Sequence, residues 1–364
     1  MFQKLDKFLD KRLLVLTIIV IQIVFVIFII LISPNMFSPV RNRNEYQFFW
    51  QDRVLYDGDI HCHYLNSNDI LPPAEDKNFK PKENSIFFHE TSCRGALTSR
   101  QACAIEAAAR IHPGRDIYVL FSSPVDEFTF KESVISKLKV LSNINYARVH
   151  IKEYANNTPL ELLVESNRID KANFKVQLSS DILRFLTLYK WGGIYLDMDM
   201  IVAHNLDALG KNWAALEDTQ LVNGAVLAIG KDKIGRNVIK AVMQEINNSY
   251  DPQIFNYNGP GAITRVLERW CNSSELETWN ASKCGGFSVY DPEHFFPIDF
   301  EDYKKYFEPG EVKDVVKDVT KVYTYHLWNK LSSNTTVDKN SPYAKLAKKY
   351  CPEIYKMYSD KFGQ

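Results

Sequence analysis

The sequence predicts an α/β domain with a mostly parallel central sheet, set behind one N-terminal membrane-spanning helix. Three observations lead to that class. Short apolar runs and periodic helical segments alternate from residue 85 onward. A long apolar stretch lies near the N-terminus. The charge is balanced, with Lys+Arg and Asp+Glu both 44 in 364 residues, and 46% of residues are hydrophobic. That composition supports a sizeable core and excludes the basic field that nucleic-acid binders use. No fixed-period repeat or long low-complexity tract interrupts it.

The apolar stretch runs from Leu13 to Ile32, broken only by Thr17 and Gln22. At about 1.5 Å per residue it reaches roughly 30 Å, the thickness of a bilayer core. Lys4, Lys7, Lys11 and Arg12 precede it, which favours a cytoplasmic N-terminus. Ser33-Pro34-Asn35 follows, a poor cleavage site, so an uncleaved anchor is expected rather than a signal peptide. The expected organisation is a cytoplasmic tail over 1–12, a signal-anchor over 13–32, a lumenal stem over 33–84 and the folded domain over 85–364. The stem assignment rests on five prolines and weak periodicity.

Everything past residue 33 then lies in an oxidising lumen. Five sequons agree with this, at Asn156, Asn247, Asn272, Asn280 and Asn334. So do six cysteines, all beyond the apolar stretch. Proximity suggests the pairs Cys93–Cys103 and Cys271–Cys284, although other connectivities stay open. No two cysteines have zinc-ligand spacing.

Within the domain, Ile86-Phe87-Phe88, Ile117 to Phe121, Arg148 to Lys152, Ile194 to Leu196 and Ala225 to Ile229 read as strands. Helices are expected at Ser99 to Ile111, Leu160 to Val164, Gln177 to Lys190, Asn237 to Ile246 and Ala262 to Trp270. In such sheets ligands sit beyond the carboxyl ends of the strands. The G-x-G-x-x-G fingerprint of dinucleotide binding is absent.

The segment Ser180 to Asp199 carries the chemistry. Asp181 and Arg184 stand three apart on one helix, hence on one face. Gly192-Gly193 ends that helix, and the strand after it delivers Asp197 and Asp199. In extended backbone, residues i and i+2 point the same way, so the two carboxylates converge. Convergent carboxylates repel, and a hard divalent cation resolves the repulsion. Alone, a D-x-D is too short to outweigh the plainer reading of two solvated aspartates. The buried strand, the Gly-Gly turn and the Arg-bearing helix change that balance. His61 and His63 alternate like metal ligands, but they sit in the expected stem and are read as structural. The lysines between Lys339 and Lys361 read as a solvated helix face.

The Ser180–Asp199 block resembles the D-x-D sugar-binding region of retaining glycosyltransferases. Glu90-Thr91-Ser92, Ala104 to Arg110, Asn223-Gly224-Ala225, Gly259-Pro260 and Tyr325 to Lys330 narrow the likeness. They resemble the lactosylceramide 4-α-galactosyltransferase family, which includes α-1,4-N-acetylglucosaminyltransferases and insect glycolipid N-acetylgalactosaminyltransferases. The likeness covers roughly residues 85 to 335. It implies a GT-A fold, a UDP-sugar donor, Mn²⁺ (or Mg²⁺) and a type II protein of the Golgi membrane.

Residue by residue, the resemblance implies metal ligation by Asp197 and Asp199, with His326 completing the shell. It implies that Asp181, with the two metal aspartates, serves catalysis. Asp181, Arg184, Tyr195, Asn223, Trp328, Asn329 and Lys330 would bind the donor, with Trp328 stacked on uracil. The implied partners are UDP-galactose or UDP-N-acetylgalactosamine and a glycolipid acceptor; a homo-oligomer is compatible with this, and no nucleic acid is implied. Transfer would retain anomeric configuration in an α-1,4 linkage. The competing readings are transfer of N-acetylglucosamine to glycoprotein glycans, an aspartate-based phosphatase, and a lumenal sugar-binding protein without catalysis. The phosphatase class places its D-x-D at the start of the domain, whereas here more than a hundred domain residues come first.

Overall fold

A computed structural model describes residues 59–65 and 69–363 of the protein. The expected tail, membrane helix and most of the stem lie outside these residues. Among the described residues no helix is long and apolar enough to cross a membrane.

A seven-stranded sheet has the order β3-β2-β1-β4-β7-β6-β8. Its strands are β1 (Ile86–Glu90), β2 (Ile117–Phe121), β3 (Ile144–Arg148), β4 (Gly193–Leu196), β6 (Trp213–Leu216), β7 (Val222–Ile229) and β8 (Ser288–Tyr290). Strands β3, β2, β1 and β4 run parallel. β7 is antiparallel to both β4 and β6, and β8 is parallel to β6. The sheet is therefore mixed but mostly parallel, as expected: β7 alone runs against the other six strands. A second, two-stranded ribbon pairs β5 (Met200–Val202) with β9 (Thr324–His326) in antiparallel register, Met200 opposite His326. The central strands β1, β4, β7 and β6 are buried on both faces, as apolar runs such as Ile86–Phe88 require, while β8 at the edge is half-buried.

The main helices are α1 (Ser99–Ile111), α2 (Lys175–Trp191), α3 (Lys233–Ser249) and α4 (Pro260–Trp270), followed by α5 (Pro342–Tyr350) and α6 (Pro352–Tyr358). Thr98 starts α1 through a reciprocal capping box with Gln101. The alanine-rich face of α1 is fully buried, so the helix can sit close to its neighbours. α2 ends at Gly192, whose φ of 69° turns the chain into β4.

Three sequence expectations are corrected. The third strand is Ile144–Arg148, and the stretch after it forms a short helix at Ile151–Ala155. Residues 59–65 and 69–84, expected as the end of the stem, pack on the domain. Ile60 is fully buried, the Ala74 N–H donates to the Arg148 carbonyl, and Arg148 is held by Cys62, Leu65 and Asp69. The disulfides are Cys62–Cys93, Cys103–Cys351 and Cys271–Cys284, so the expected Cys93–Cys103 pair is wrong. Sequence proximity misled there: Cys103 is carried on α1 toward the C-terminal helices, while Cys93 turns back onto the segment before β1.

The C-terminal helices are fastened to α1 by more than a disulfide. The buried Glu106 carboxylate accepts from the backbone N–H groups of Glu353 and Ile354 and from Arg110. Buried Arg100 donates to the carbonyls of Ser332, Thr335 and Gly363. Arg100→Met is expected to strand these carbonyls at about 1–3 kcal/mol for each buried group left unpaired. At about 2–4 °C per kcal/mol, calorimetry should show the melting temperature falling by roughly 6 °C or more. A change under about 1 °C would mean that the fastening contributes nothing.

Candidate active site

The adjacent parallel strands β3, β2, β1 and β4 share one carboxyl edge, and there β4 delivers the D-x-D. Asp197 leaves β4 with its N–H on the Ala225 carbonyl of β7. A tight turn leads into β5, whose partner β9 ends at His326. The pairing of Met200 with His326 brings that imidazole beside Asp199, with Nε2 3.3 Å from Oδ1. Ligating atoms of Asp197, Asp199 and His326 all lie within 4.8 Å of one another. Two carboxylates and one imidazole suit a hard or borderline divalent cation such as Mn²⁺ or Mg²⁺. The donor set thus fits the implied metal.

The chain itself orients these ligands. The Asn329 N–H donates to Asp199 Oδ2 at 2.6 Å, and the Leu327 N–H donates to the Asp199 carbonyl. Tyr195 is buried on β4 and donates its hydroxyl to Asp197 Oδ1 at 2.5 Å. Burial, then the Asp197 charge, push the Tyr195 phenol far above its ordinary range, so it remains a donor.

Arg184 lies at the centre. Its Nη1 is 2.6 Å from Asp181 Oδ1, its Nη2 is 3.2 Å from Asp197 Oδ1, and its plane covers the Tyr195 ring at 4.8 Å. Arg184 and Asp181 are only 5% and 6% exposed, so this is a buried network and not a surface ion bridge. Burial opposes the guanidinium charge, but Tyr195, Asp197 and Asp181 together hold it firmly protonated. Two glycines make room for the pair. A Cβ on Gly224 would stand 2.3 Å from Arg184 Nη1, and one on Gly259 would stand 2.3 Å from the Asp181 carboxyl. Asn223-Gly224 and Gly259-Pro260 are therefore the walls against which the ion pair is set.

The remaining expected residues sort by position. Asn223 is buried, and both ends of its amide are engaged: Nδ2 donates to Glu217 Oε2 and Oδ1 accepts from the Ala225 N–H. Trp328 is 5% exposed in a left-handed backbone conformation, with its indole N–H on the Ile298 carbonyl. Its ring packs on His326 at 4.0 Å and against Phe296 and Phe300. In this structure it buttresses His326 and offers no open stacking face. Asn329 is exposed, and Lys330 is half-buried beside it. Of the two stem histidines, His61 is exposed and His63 is buried with Nε2 on the Thr91 carbonyl. Burial lowers the His63 pKa to about 4.

Residue-level reading of the sequence missed Glu217 and assigned no role to Glu90. Glu90 ends β1, is buried, and accepts from the Ser92 N–H and hydroxyl. Glu217 follows β6, a strand the pattern did not reveal. Neither has a local signal beyond being an acidic residue next to an apolar run.

Comparison with known proteins agrees with the geometry. A family described as "Glycosyltransferase sugar-binding region containing DXD motif" matches residues 98–216. One described as "Alpha 1,4-glycosyltransferase conserved region" matches residues 231–358. Lactosylceramide 4-alpha-galactosyltransferase of Mus musculus is 32% identical over 281 residues, 75% of this chain and 77% of the relative. The Homo sapiens protein of that name is 32% identical over 296 residues, 79% of this chain and 82% of the relative. Alpha-1,4-N-acetylglucosaminyltransferase of Homo sapiens is 24% identical over 284 residues, 74% of this chain and 79% of the relative. Among solved structures, the glycosyltransferase GlyE of Streptococcus pneumoniae aligns with a TM-score of 0.44 at 13% identity, covering 78% of this chain and 64% of that one. With Asp197 and Asp199 set as the D-x-D and with these relatives, the chain belongs to the α-1,4-glycosyltransferase family of the lactosylceramide 4-alpha-galactosyltransferases and is a glycosyltransferase.

Proposed function

We propose that this enzyme moves galactose or N-acetylgalactosamine from a UDP-sugar to a glycosphingolipid, forming an α-1,4 linkage with retention. The observation that carries the reading is the convergence of Asp197, Asp199 and His326 beside the buried Asp181–Arg184 pair. The likeness to galactosyltransferases at 32% identity outweighs that to the N-acetylglucosaminyltransferase at 24%.

A divalent cation held by Asp197, Asp199 and His326 would neutralise charge on the departing diphosphate. The protein's own groups do the rest. The Asn329 N–H and the Tyr195 hydroxyl fix the two carboxylates before substrate arrives, so no reorganisation is needed during reaction. Asp181 accepts from a hydroxyl of the donor sugar while Arg184 keeps its orientation. The fixed positive charge of Arg184 lies where negative charge grows on the leaving oxygen.

We further propose that the domain works in the Golgi lumen behind the anchor at residues 13–32. Three disulfides support an oxidising compartment, and Asn156, Asn272, Asn280 and Asn334 are exposed, with Asn247 half-buried. A mass shift on glycosidase treatment checks this; absence of glycan at every sequon contradicts it.

The activity is tested by incubating the lumenal portion with UDP-galactose, UDP-N-acetylgalactosamine or UDP-N-acetylglucosamine and a glycolipid panel, then determining the product linkage. An α-1,4 product from lactosylceramide or a related acceptor is expected. Transfer only to protein-linked glycans would overturn the acceptor assignment.

A further inference from the structure

Glu217 stands behind the Asn223-Gly224 wall of the site. On one side it holds Asn223, whose neighbour Gly224 packs on Arg184 and whose amide fixes Ala225, the acceptor of the Asp197 N–H. On the other side lies Asp299, close enough to act on its charge. Asp299 follows Ile298, which anchors Trp328, and Trp328 packs on His326. Hydrogen bonds therefore link Asp197 through Ala225 and Asn223 to Glu217, and the charge of Asp299, next to the residue that anchors Trp328, reaches Glu217.

The carboxyl is 7% exposed. Its Oε2 accepts from Asn223 at 2.8 Å, while Oε1 is buried with no hydrogen-bond partner. A buried polar atom left unpaired costs about 1–3 kcal/mol, and natural structures rarely keep one without a use. Asn223 has both ends of its amide engaged, so on this pair of side chains the uncommitted polar atom is Glu217 Oε1.

We propose that Glu217 is a substrate-positioning residue whose Oε1 pairs with a hydroxyl of a bound sugar while Oε2 stays on Asn223. The inference rests on the glycosyl-transfer reading above. It names the chemistry, a sugar hydroxyl, and kinetics decide whether donor or acceptor supplies it. The electrostatics agree. Burial, then Asp218 and Asp299, raise the pKa to about 8, against a smaller lowering by Asn223. Below that pH the carboxyl is neutral and can donate as well as accept. Above it the proton is lost beside two other carboxylates, and the donor role disappears.

The test compares wild type, Glu217→Ala and Glu217→Gln between pH 6 and 9, with UDP-galactose and lactosylceramide as probes. Glu217→Ala should lower kcat/KM for transfer about 30-fold or more, in the range of one well-placed polar contact. Glu217→Gln, which keeps a donor and an acceptor but does not titrate, should recover most of that loss at pH 6.5. The wild type should lose kcat/KM as pH rises through about 8, and the Gln variant should lack that limb. Hydrolysis of UDP-galactose without acceptor separates the two sources. If it falls with transfer, the hydroxyl is the donor's; if it survives while acceptor KM rises, the hydroxyl is the acceptor's.

UDP binding and melting temperature are measured alongside. Wild-type kinetics for Glu217→Ala, or the same alkaline limb in Glu217→Gln, would overturn the proposal. So would a loss of rate matched by an equal loss of UDP binding, since that marks a structural role. Should the wild type transfer none of the sugars offered, the functional reading fails separately, and hydrolysis still reports on Glu217.

Discussion

Asp197→Asn and Asp199→Asn are each expected to abolish transfer, lowering kcat/KM by about 10³-fold or more, while leaving the fold intact. Both side chains lie beyond the end of β4, so neither change opens a cavity in the core. Asparagine keeps the size of each side chain and one acceptor oxygen, but it removes the charge that a hard cation needs. The two variants should differ in one respect. Asp197 also holds Arg184 and the Tyr195 hydroxyl, whereas Asp199 holds His326 and the Asn329 N–H. Asp197→Asn should therefore disturb the sugar-binding side of the site as well, and Asp199→Asn should disturb the 326–330 segment. Steady-state kinetics with circular dichroism checks both. Residual transfer above about a tenth of wild type would remove these residues from the centre of the chemistry.

Arg184→Lys and Asp181→Asn come next, with an expected loss of about 10²-fold or more in kcat/KM. Arg184 serves Asp181 and Asp197 with separate nitrogens and lies flat over Tyr195. A lysine ammonium is a point charge on a flexible stem and cannot reproduce that fork. Breaking a buried ion pair by removing one partner costs about 3–5 kcal/mol, so stability must be followed too. The two variants separate sugar from diphosphate. Asp181→Asn should leave UDP binding near wild type, because Asp181 is assigned to the sugar and is not among the metal-binding residues. Arg184→Lys should also weaken UDP binding, because its Nη2 rests on Asp197. Gly259→Ala is an independent check: it alters no charged group in the sequence, yet its Cβ would press on the Asp181 carboxyl at 2.3 Å. It should imitate Asp181→Asn. Equal and complete loss of UDP binding in all three would assign the pair to the fold and not to the sugar.

The D-x-D and its approach were legible because a few adjacent residues encode them. Gly192-Gly193 ends a helix and an apolar strand follows, but that strand stops at Leu196; the carboxylates converge through a tight turn, with the Met200 N–H on the Asp197 carbonyl, and not through the i, i+2 alternation of extended backbone. The Asp181–Arg184 pair was legible for the same reason, as an i, i+3 pair on one helix. His326 came through the family resemblance alone, since nothing local links residue 326 to residue 199; the antiparallel pairing of β5 and β9 does that. Long-range pairing also explains the failures. The Cys103–Cys351 bridge spans 248 residues, and the two cysteines meet only because α5 and α6 fold back on α1. The stretch before β1 reads as polar and Pro-rich, yet Ile60, Cys62 and Ala74 are buried in it because Arg148 anchors it from β3. Trp328 looked like a stacking platform because a tryptophan in a binding motif invites that reading. Two of the three rings that pack on it, Phe296 and Phe300, come from the 292–300 segment, which carried no strong periodicity.

Manganese binding, followed by electron paramagnetic resonance with and without UDP, tests the central claim most directly. The wild type should bind Mn²⁺ at a single site, and UDP should tighten that binding. Asp199→Asn should weaken it by about tenfold or more, and His326→Ala should do so to a lesser degree, in line with the loss of one ligand. Removing the ion with EDTA should stop transfer, and restoring Mn²⁺ should recover it. Full transfer in EDTA, with no Mn²⁺ signal from the wild type in the presence of UDP, would contradict a metal centre on Asp197, Asp199 and His326.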